Sequence, residues 1–538
     1  MFLIILAVAA LRLSQAKLTR AGDPESDTAA GPSYVAAVYE HRVILNPEPH
    51  VPLSRSAALA HMMRNLQVYE EQALLAAKRG AQIIVFPEDG LHGFNFSRLS
   101  ISGYLERIPD PQTEDWNPCT EPHRHTSTEV LQRLSCMARR HHIYLVANMA
   151  SVQPCPLTSQ LDPSCPPDGH WQFNTDVVFK SDGSLAARYH KHNLYFENAF
   201  DAPPRLEVVT FDTPFAGRFG VLTCFDILFH DPTITLLDQG VRQMVYPTAW
   251  MNQLPLLAAV QFQRAFSLGA NVTVLAANIR ADSLGMTGSG IFPTGKATYH
   301  HARAGALEEG RLLVVRTPVV DQDWLAVENQ VKEQREIGGE HVEAGSPVSL
   351  SGKEVNSGFC RLESHHCQGE SLSGSPSPSP SPFTSYMMYD PFSFLLLRGS
   401  KGNLTVCDGP LCCHLQYRRS PLGGSTELYA LGAFAGIHTV NGRYALQVCA
   451  LVRCSGSEVS SCGQEVEEAE SRVDFLLEGK FKTRHVYPSL LGSGIVLEQP
   501  NRVATTPDGR VVMEHSGMTV GLVTACLYGR MYDLDQST

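Results

Sequence analysis

The chain has 538 residues, a net charge of −11 and a hydrophobic fraction of 43%. That is too long for one ordinary core, so two domains are expected. The acidic balance, with no polybasic run, argues against a nucleic-acid or anionic-membrane surface. The 14 cysteines and the Asn-x-Ser/Thr sequons at Asn95, Asn271 and Asn403 point to an oxidising compartment and to N-glycosylation. Asn271 lies in an apolar, strand-like stretch, which speaks against its use.

In chain order, residues 2–11 form an apolar run, followed by Ser14-Gln15-Ala16 with small residues at −3 and −1 of a signal-peptidase site. The run is too short to span a bilayer. Residues 1–16 are therefore read as a signal peptide, with a secreted mature chain starting near Lys17. Residues 35–39 read as a first strand. From Ser54, apolar positions such as Leu59, Met62, Leu66, Tyr69, Ala73 and Ala76 recur at three- and four-residue steps, and Gly80 stops the helix. Residues 82–86 form a continuous apolar strand broken by Pro87, and helix followed by buried strand is the unit of a two-sided α/β sheet. A helix is expected over 128–140 and a strand over 143–147. Strands over 176–180 and 185–189 flank the turn Ser181-Asp182-Gly183. Further strands are expected over 208–211, 219–223, 243–246 and 271–276, with a helix over 255–267. The α/β domain is expected to span 17–330.

Residues 331–383 read as a polar linker whose Ser-Pro repeat, 375–382, stays extended and solvated. Strand-like runs over 394–397, 428–434, 445–452, 473–477, 494–497, 511–514 and 520–528 follow, between Gly-rich turns and dense in cysteine. Residues 384–538 thus read as a smaller, mostly β, disulfide-rich domain with a structural or substrate-capping role. The close pairs are Cys119/Cys136, Cys155/Cys165, Cys360/Cys367, Cys412/Cys413 and Cys449/Cys454. There is no CxxC and the paired histidines lack ligand spacing, so no metal and no cofactor are expected.

Three strand ends carry reactive side chains. Glu88 follows Phe86-Pro87, Lys191 follows Arg188-Tyr189-His190, and Cys224 closes Phe219-Gly220-Val221-Leu222-Thr223. Taken alone, Cys224 is as readily a structural thiol as a nucleophile. If it is the nucleophile, an odd number of cysteines remains, and Cys526, in an apolar run, is the candidate for a second unpaired thiol. Together the three make a kit for acyl transfer from nitrogen. Glu88 takes the thiol proton, Cys224 attacks a carbonyl to form a thioester, and Lys191 with the Phe225 N–H faces the developing oxyanion. Glu197 is a helper carboxylate or a solvated loop charge. Tyr246, Trp250 and Asn252 are substrate-pocket liners or ordinary packing. Rival kits are missing: there is no Gly-x-Ser-x-Gly, His-Glu-x-x-His or Walker loop, and the glycine-rich run 285–290 lacks the strand–helix setting of a phosphate site.

The segments FPEDGLHGFNFSR, RYHKHNLYFE, TPFAGRFGVLTCFDILFHDP and YPTAWMNQLPLLAAVQFQRAF, with LCCHLQY, ELYALGAF and QVCALVRC further on, resemble the nitrilase superfamily of carbon–nitrogen hydrolases, and within it the biotinidase and vanin branch. The resemblance implies an α/β fold, a four-layer α-β-β-α sandwich, with a catalytic triad falling on Glu88, Lys191 and Cys224 and no metal. It implies hydrolysis of biocytin and biotinyl-peptides to free biotin, with biotinyl transfer to amines through the same thioester. The alternatives it leaves are cleavage of pantetheine to pantothenate and cysteamine, and a non-catalytic biotin-binding carrier. Some of that branch end in an apolar anchoring tail. This chain ends in the polar run 530–538, so no membrane anchor is expected. The oligomeric state is left open.

Overall fold

The structure is a computed structural model describing residues 31–155, 165–303, 305, 309–320, 381–420 and 426–535. The signal-peptide reading, most of the linker with its Ser-Pro repeat, and Cys360/Cys367 lie outside the described residues.

The first domain comprises β1 (Ser33–His41), α1 (Arg55–Lys78), β2 (Ile83–Val85), α2 (Glu129–His141), β3 (Tyr144–Pro154), β4 (His170–Phe179), β5 (Leu185–His190), β6 (Thr210–Thr213), β7 (Gly217–Val221), α3 (Thr233–Asp238), β8 (Gln243–Thr248), α4 (Ala259–Ala270), β9 (Thr273–Asn278), β10 (Ser289–Phe292), β11 (Thr298–His300) and β12 (Gly310–Pro318). Two six-stranded sheets result, ordered β12-β1-β2-β3-β4-β5 and β11-β10-β9-β8-β7-β6. Strand alternation sorts the side chains into layers. Ala36, Val38, Ile83 and Val85 face Val221, Val245, Leu275 and Ala277 of the other sheet. Their neighbours Ala37, Ile84 and Phe86 point outward onto Met62, Leu66 and Leu134 of α1 and α2. On the far side, Met244 and Val274 meet Phe262 and Phe266 of α4. This is the α-β-β-α sandwich. With both faces of each sheet covered, the strands read as unbroken apolar runs.

Helix starts and stops follow local chemistry. The Ser54 hydroxyl accepts the Ala57 N–H at 3.3 Å to start α1, and Gly80 beyond its end has φ +81°. The expected strand over 271–276 begins late. Asn271 is the left-handed cap of α4, which runs to Ala270 rather than ending at 267. The glycine-rich run leads into β10 and wraps a carboxylate of the protein itself. Glu40 accepts the Thr287 hydroxyl (2.6 Å), the Gly288 N–H (2.8 Å) and the Ser289 hydroxyl (2.9 Å).

The second domain comprises β13 (Phe383–Met387), β14 (Asp390–Leu396), β15 (Lys401–Asp408), β16 (Leu411–Ser420), β17 (Tyr429–His438), β18 (Tyr444–Arg453), β19 (Arg472–Gly479), β20 (Val486–Gly492), β21 (Val496–Leu497), β22 (Arg502–Thr505), β23 (Val511–His515) and β24 (Leu522–Arg530). A seven-stranded sheet, β13-β14-β17-β18-β24-β20-β21, packs on a five-stranded sheet, β15-β16-β19-β23-β22. The outer face of the larger sheet covers α4, with Phe262 edge-on to Tyr487 and Tyr528 at 5.9 and 5.6 Å. Disulfides join Cys119–Cys136 and Cys155–Cys165, as their spacing suggests. Cys412 and Cys413 are not bonded to each other, nor are Cys449 and Cys454. Adjacent cysteines on one strand point to opposite faces, so Cys412 bonds Cys407 across the hairpin while Cys413 reaches Cys449 in the other sheet, and Cys454 bonds Cys462. Among the described residues the free thiols are Cys224 and Cys526, both buried.

Candidate active site

Glu88 and Lys191 stand 103 residues apart in sequence, yet with Cys224 they follow the ends of β2, β5 and β7 and line one cavity of about 200 Å³. Phe94, Phe96, Phe200 and Met286 supply its apolar wall. The Lys191 ammonium donates to Glu88 Oε1 at 2.7 Å and also pairs with Glu197 Oε1. Glu88 Oε1 accepts the Asn174 side-chain amide at 2.8 Å, and its Oε2 accepts the Ala249 N–H at 2.8 Å. The same Asn174 amide reaches Glu197 Oε2 at 2.7 Å. Each carboxylate oxygen of Glu88 and Glu197 thus has a hydrogen-bond partner, which makes a buried cation tolerable. Burial opposes the charge on Lys191, but Glu197, Glu88 and Cys224 more than offset it and hold the ammonium well above its ordinary value.

Cys224 opens a 3-10 turn, Cys224–Leu228, with φ +45°. That left-handed conformation is costly for a residue with a side chain. Buried polar groups hold it. Tyr246 donates from its hydroxyl to the Cys224 carbonyl at 2.7 Å. Asp226 accepts the Thr223 N–H (3.1 Å), the Tyr189 hydroxyl (2.7 Å) and the Asn193 N–H (2.9 Å), and Thr223 donates from its hydroxyl to Asp176 (2.7 Å). Asn148 then links Asp176 (2.9 Å) to Asn174 (2.6 Å), closing a network across both sheets from the Cys224 turn to the carboxylates. Burial, then the Glu88 charge, push the Cys224 thiol well above its usual range, and Lys191 pulls it back. The resting sulfur is therefore protonated. The Phe225 N–H lies in the first turn of a helix, where donors lack helical acceptors. Among the described residues no cluster of three His, Cys, Asp or Glu is placed to hold a metal ion.

Residues 23–285 match the Carbon-nitrogen hydrolase family, and residues 381–535 match the Vanin C-terminal domain. A biotinidase of Takifugu rubripes is 63% identical over 94% of this chain and 95% of its own. The chain belongs to the biotinidase and vanin family of carbon–nitrogen hydrolases. Within this family it is also 43% identical to a pantetheinase of Bos taurus, over 94% of this chain and 91% of the relative. Among solved structures an amidase from Nesterenkonia sp. covers 57% of this chain and 98% of its own, at 19% identity and a TM-score of 0.36. By its match to the Carbon-nitrogen hydrolase family and to a biotinidase, this chain is an enzyme, a hydrolase acting on amides.

Other residues singled out in the sequence fall differently. Glu197 is drawn into the Lys191 cage and is no solvated loop charge. Tyr246 fixes the backbone of Cys224 rather than lining the cavity, and Trp250 lines a small recess beside the sulfur. Asn252 belongs to the turn scaffold: its side chain donates to the Gly285 and Thr287 carbonyls and accepts the Ala259 N–H. Asn95 and Asn403 are exposed, Asn95 at the rim of the cavity, and Asn271 is half-buried at the end of α4. Sequence reading missed Asn148, Asn174 and Asp176. The signal was present in β4, where Gln172, Asn174 and Asp176 alternate on one face of an otherwise apolar strand.

Proposed function

We propose that the enzyme hydrolyses the amide of biocytin and of biotinyl-peptides to free biotin through a thioester on Cys224. The observation that carries this reading is the buried Glu88–Lys191–Cys224 cluster in one cavity, in a chain 63% identical to a biotinidase. Glu88 accepts the thiol proton as sulfur attacks the carbonyl carbon. The oxyanion is met by the Lys191 ammonium and the Phe225 N–H, donors fixed before reaction. The C–N bond breaks as Glu88 returns the proton to the departing nitrogen. Glu88 then takes a proton from water, which attacks the thioester; the C–S bond breaks, the acid is freed and Glu88 returns the proton to the Cys224 sulfur. An amine in place of that water gives biotinyl transfer by the same chemistry. Glu197, sharing Lys191 with Glu88, keeps the ammonium in place while the charge on Glu88 comes and goes.

The signal-peptide pattern, together with five disulfides among the described residues, supports secretion, with glycans on the exposed Asn95 and Asn403. One assay tests the activity. Purified protein is given biocytin and pantetheine, with Cys224→Ala beside it. Biotin release by the native enzyme alone is the expected result. Cysteamine release without biotin would move the substrate to pantetheine, and biotin release surviving in Cys224→Ala would overturn the mechanism.

A further inference from the structure

A groove of about 720 Å³ lies between the two domains. Gln253 and Leu254 form one side, and Tyr386, Met388, Tyr389 and Glu465 of the second domain the other. It runs toward the nucleophile. Gln253 also lines the small recess whose remaining walls include Cys224, Phe225, Ala249 and Tyr195. Tyr195 in turn lines the main cavity, and its hydroxyl meets the side chains of Gln253 and Asn441. The Ala249 N–H holds Glu88, so the proton donor for the departing nitrogen stands where recess and cavity meet.

The hairpin between β13 and β14 supplies the second observation. Met387 pairs with Asp390, leaving a two-residue tip of Met388 and Tyr389, both with left-handed φ of 54° and 70°. Such tips favour Asn-Gly or Gly-Gly, because side chains crowd the backbone there. Here the tip carries a thioether and a phenol, and Tyr389 is 61% exposed. The surroundings hold this strained tip in place. His438 Nδ1 and Asp390 Oδ2 lie 2.8 Å apart in the interior. The Ser385 hydroxyl donates to the Cys462 carbonyl at 2.8 Å, and Cys462 is tied to Cys454. Gly463 packs so closely that a Cβ would meet the Tyr386 carbonyl oxygen at 2.7 Å. Strain kept by a rigid surround points to a functional role for the tip.

We propose that this groove is the subsite for the amine half of the substrate, the peptide chain carrying the biotinyl-lysine, with Tyr386 and Tyr389 packing along it and Glu465 facing its cationic groups. The inference rests on the amide-hydrolase reading above. The order of the chemistry places the halves. The acyl group stays bound while water attacks, which suits the phenylalanine-walled cavity that holds Cys224. The amine must leave first, which suits a groove open to solvent. A second-domain turn then sets which amides are cleaved fast, although every proposed catalytic residue comes from the first domain.

The test compares two substrates of one acyl group, biotin methylamide and a tetrapeptide containing biotinyl-lysine. The variants are Met388→Asn/Tyr389→Gly, which gives the tip its preferred residues, and Glu465→Gln. On the tetrapeptide, kcat/KM should fall about tenfold in the double variant, as expected for lost side-chain contacts. Its turnover of the methylamide should stay within about twofold of native, and its Tm should rise as backbone strain is released. Glu465→Gln should weaken only substrates with a free ammonium in the leaving half. A parallel fall on both substrates, or no change on the tetrapeptide, would overturn the subsite. A native enzyme that releases biotin from neither substrate would overturn the reading of the activity instead.

Discussion

Replacing Lys191 by Met tests the electrostatic frame of the site. The ammonium lies 2.7 Å from Glu88 and also pairs with Glu197, all three side chains being largely out of water. At an effective dielectric of about 20, a unit-charge pair at that distance attracts by about 6 kcal/mol, most of it offsetting desolvation. Removing the cation strands two carboxylates beside each other, and losing one partner of a buried pair typically costs about 3–5 kcal/mol. At about 2 °C per kcal/mol for a domain of this size, Lys191→Met should melt about 6–10 °C below the native enzyme at pH 7.5. The deficit should depend on pH with a definite sign. Burial already raises the Glu197 pKa, and Lys191 holds it down. Without Lys191 it rises further, so the folded variant binds a proton that the unfolded chain does not. Its stability is lost as pH rises through the folded pKa and regained as pH falls, and the gap should narrow at pH 5. Biotin release should fall by roughly 100- to 1,000-fold or more, as for loss of an oxyanion donor. Calorimetry at the two pH values gives the answer. A variant melting with the native enzyme at pH 7.5, or a gap indifferent to pH, would refute the argument.

Burial and Glu88 push the Cys224 thiol up, so without substrate its alkylation by iodoacetamide should be slower than that of a free thiol and still rising above pH 9. Peptide mapping should find Cys526 unmodified in the folded protein, since it is buried in the second domain. Asn174→Ala removes two bonds to charged carboxylates, each worth about 1.5–3 kcal/mol, and should lower kcat by about 10- to 100-fold with KM little changed in steady-state assays.

The sequence shows the reactive groups more clearly than the frame that holds them. Glu88, Lys191 and Cys224 each end an apolar strand, and a charge or thiol there interrupts the pattern visibly. Asn148, Asn174 and Asp176 lie inside strands, where one polar residue looks like an ordinary outward position until the second sheet is seen to cover it. The strands that escaped notice have a similar cause. Partners for β12 lie in β1, some 270 residues away, and its residues are only half-buried, so its apolar pattern is weak. Edge strand β15 alternates exposed positions, Lys401, Asn403 and Thr405, with Gly402 and Leu404, which are only partly buried, and reads as loop. Gln243–Thr248 and Thr273–Asn278, buried along their whole length, were legible because both faces demand apolar residues.

One contact bears on when the enzyme first becomes competent. Arg530 is fully buried, lies between the rings of Tyr444 and Tyr532, and donates from Nε to the Leu228 carbonyl at 2.8 Å. Leu228 ends the turn that Cys224 begins. The last acceptor of the Cys224 turn therefore waits for a residue made 302 positions later. Chains fold from the N-terminus as they are synthesised, so the first domain can close its sheets well before that guanidinium exists. A growing chain would thus carry Cys224 in an unfinished setting, and reactivity would arrive only with the last strand. Loss of a few C-terminal residues, remote in sequence from the active site, would then act as a lesion of the active site itself.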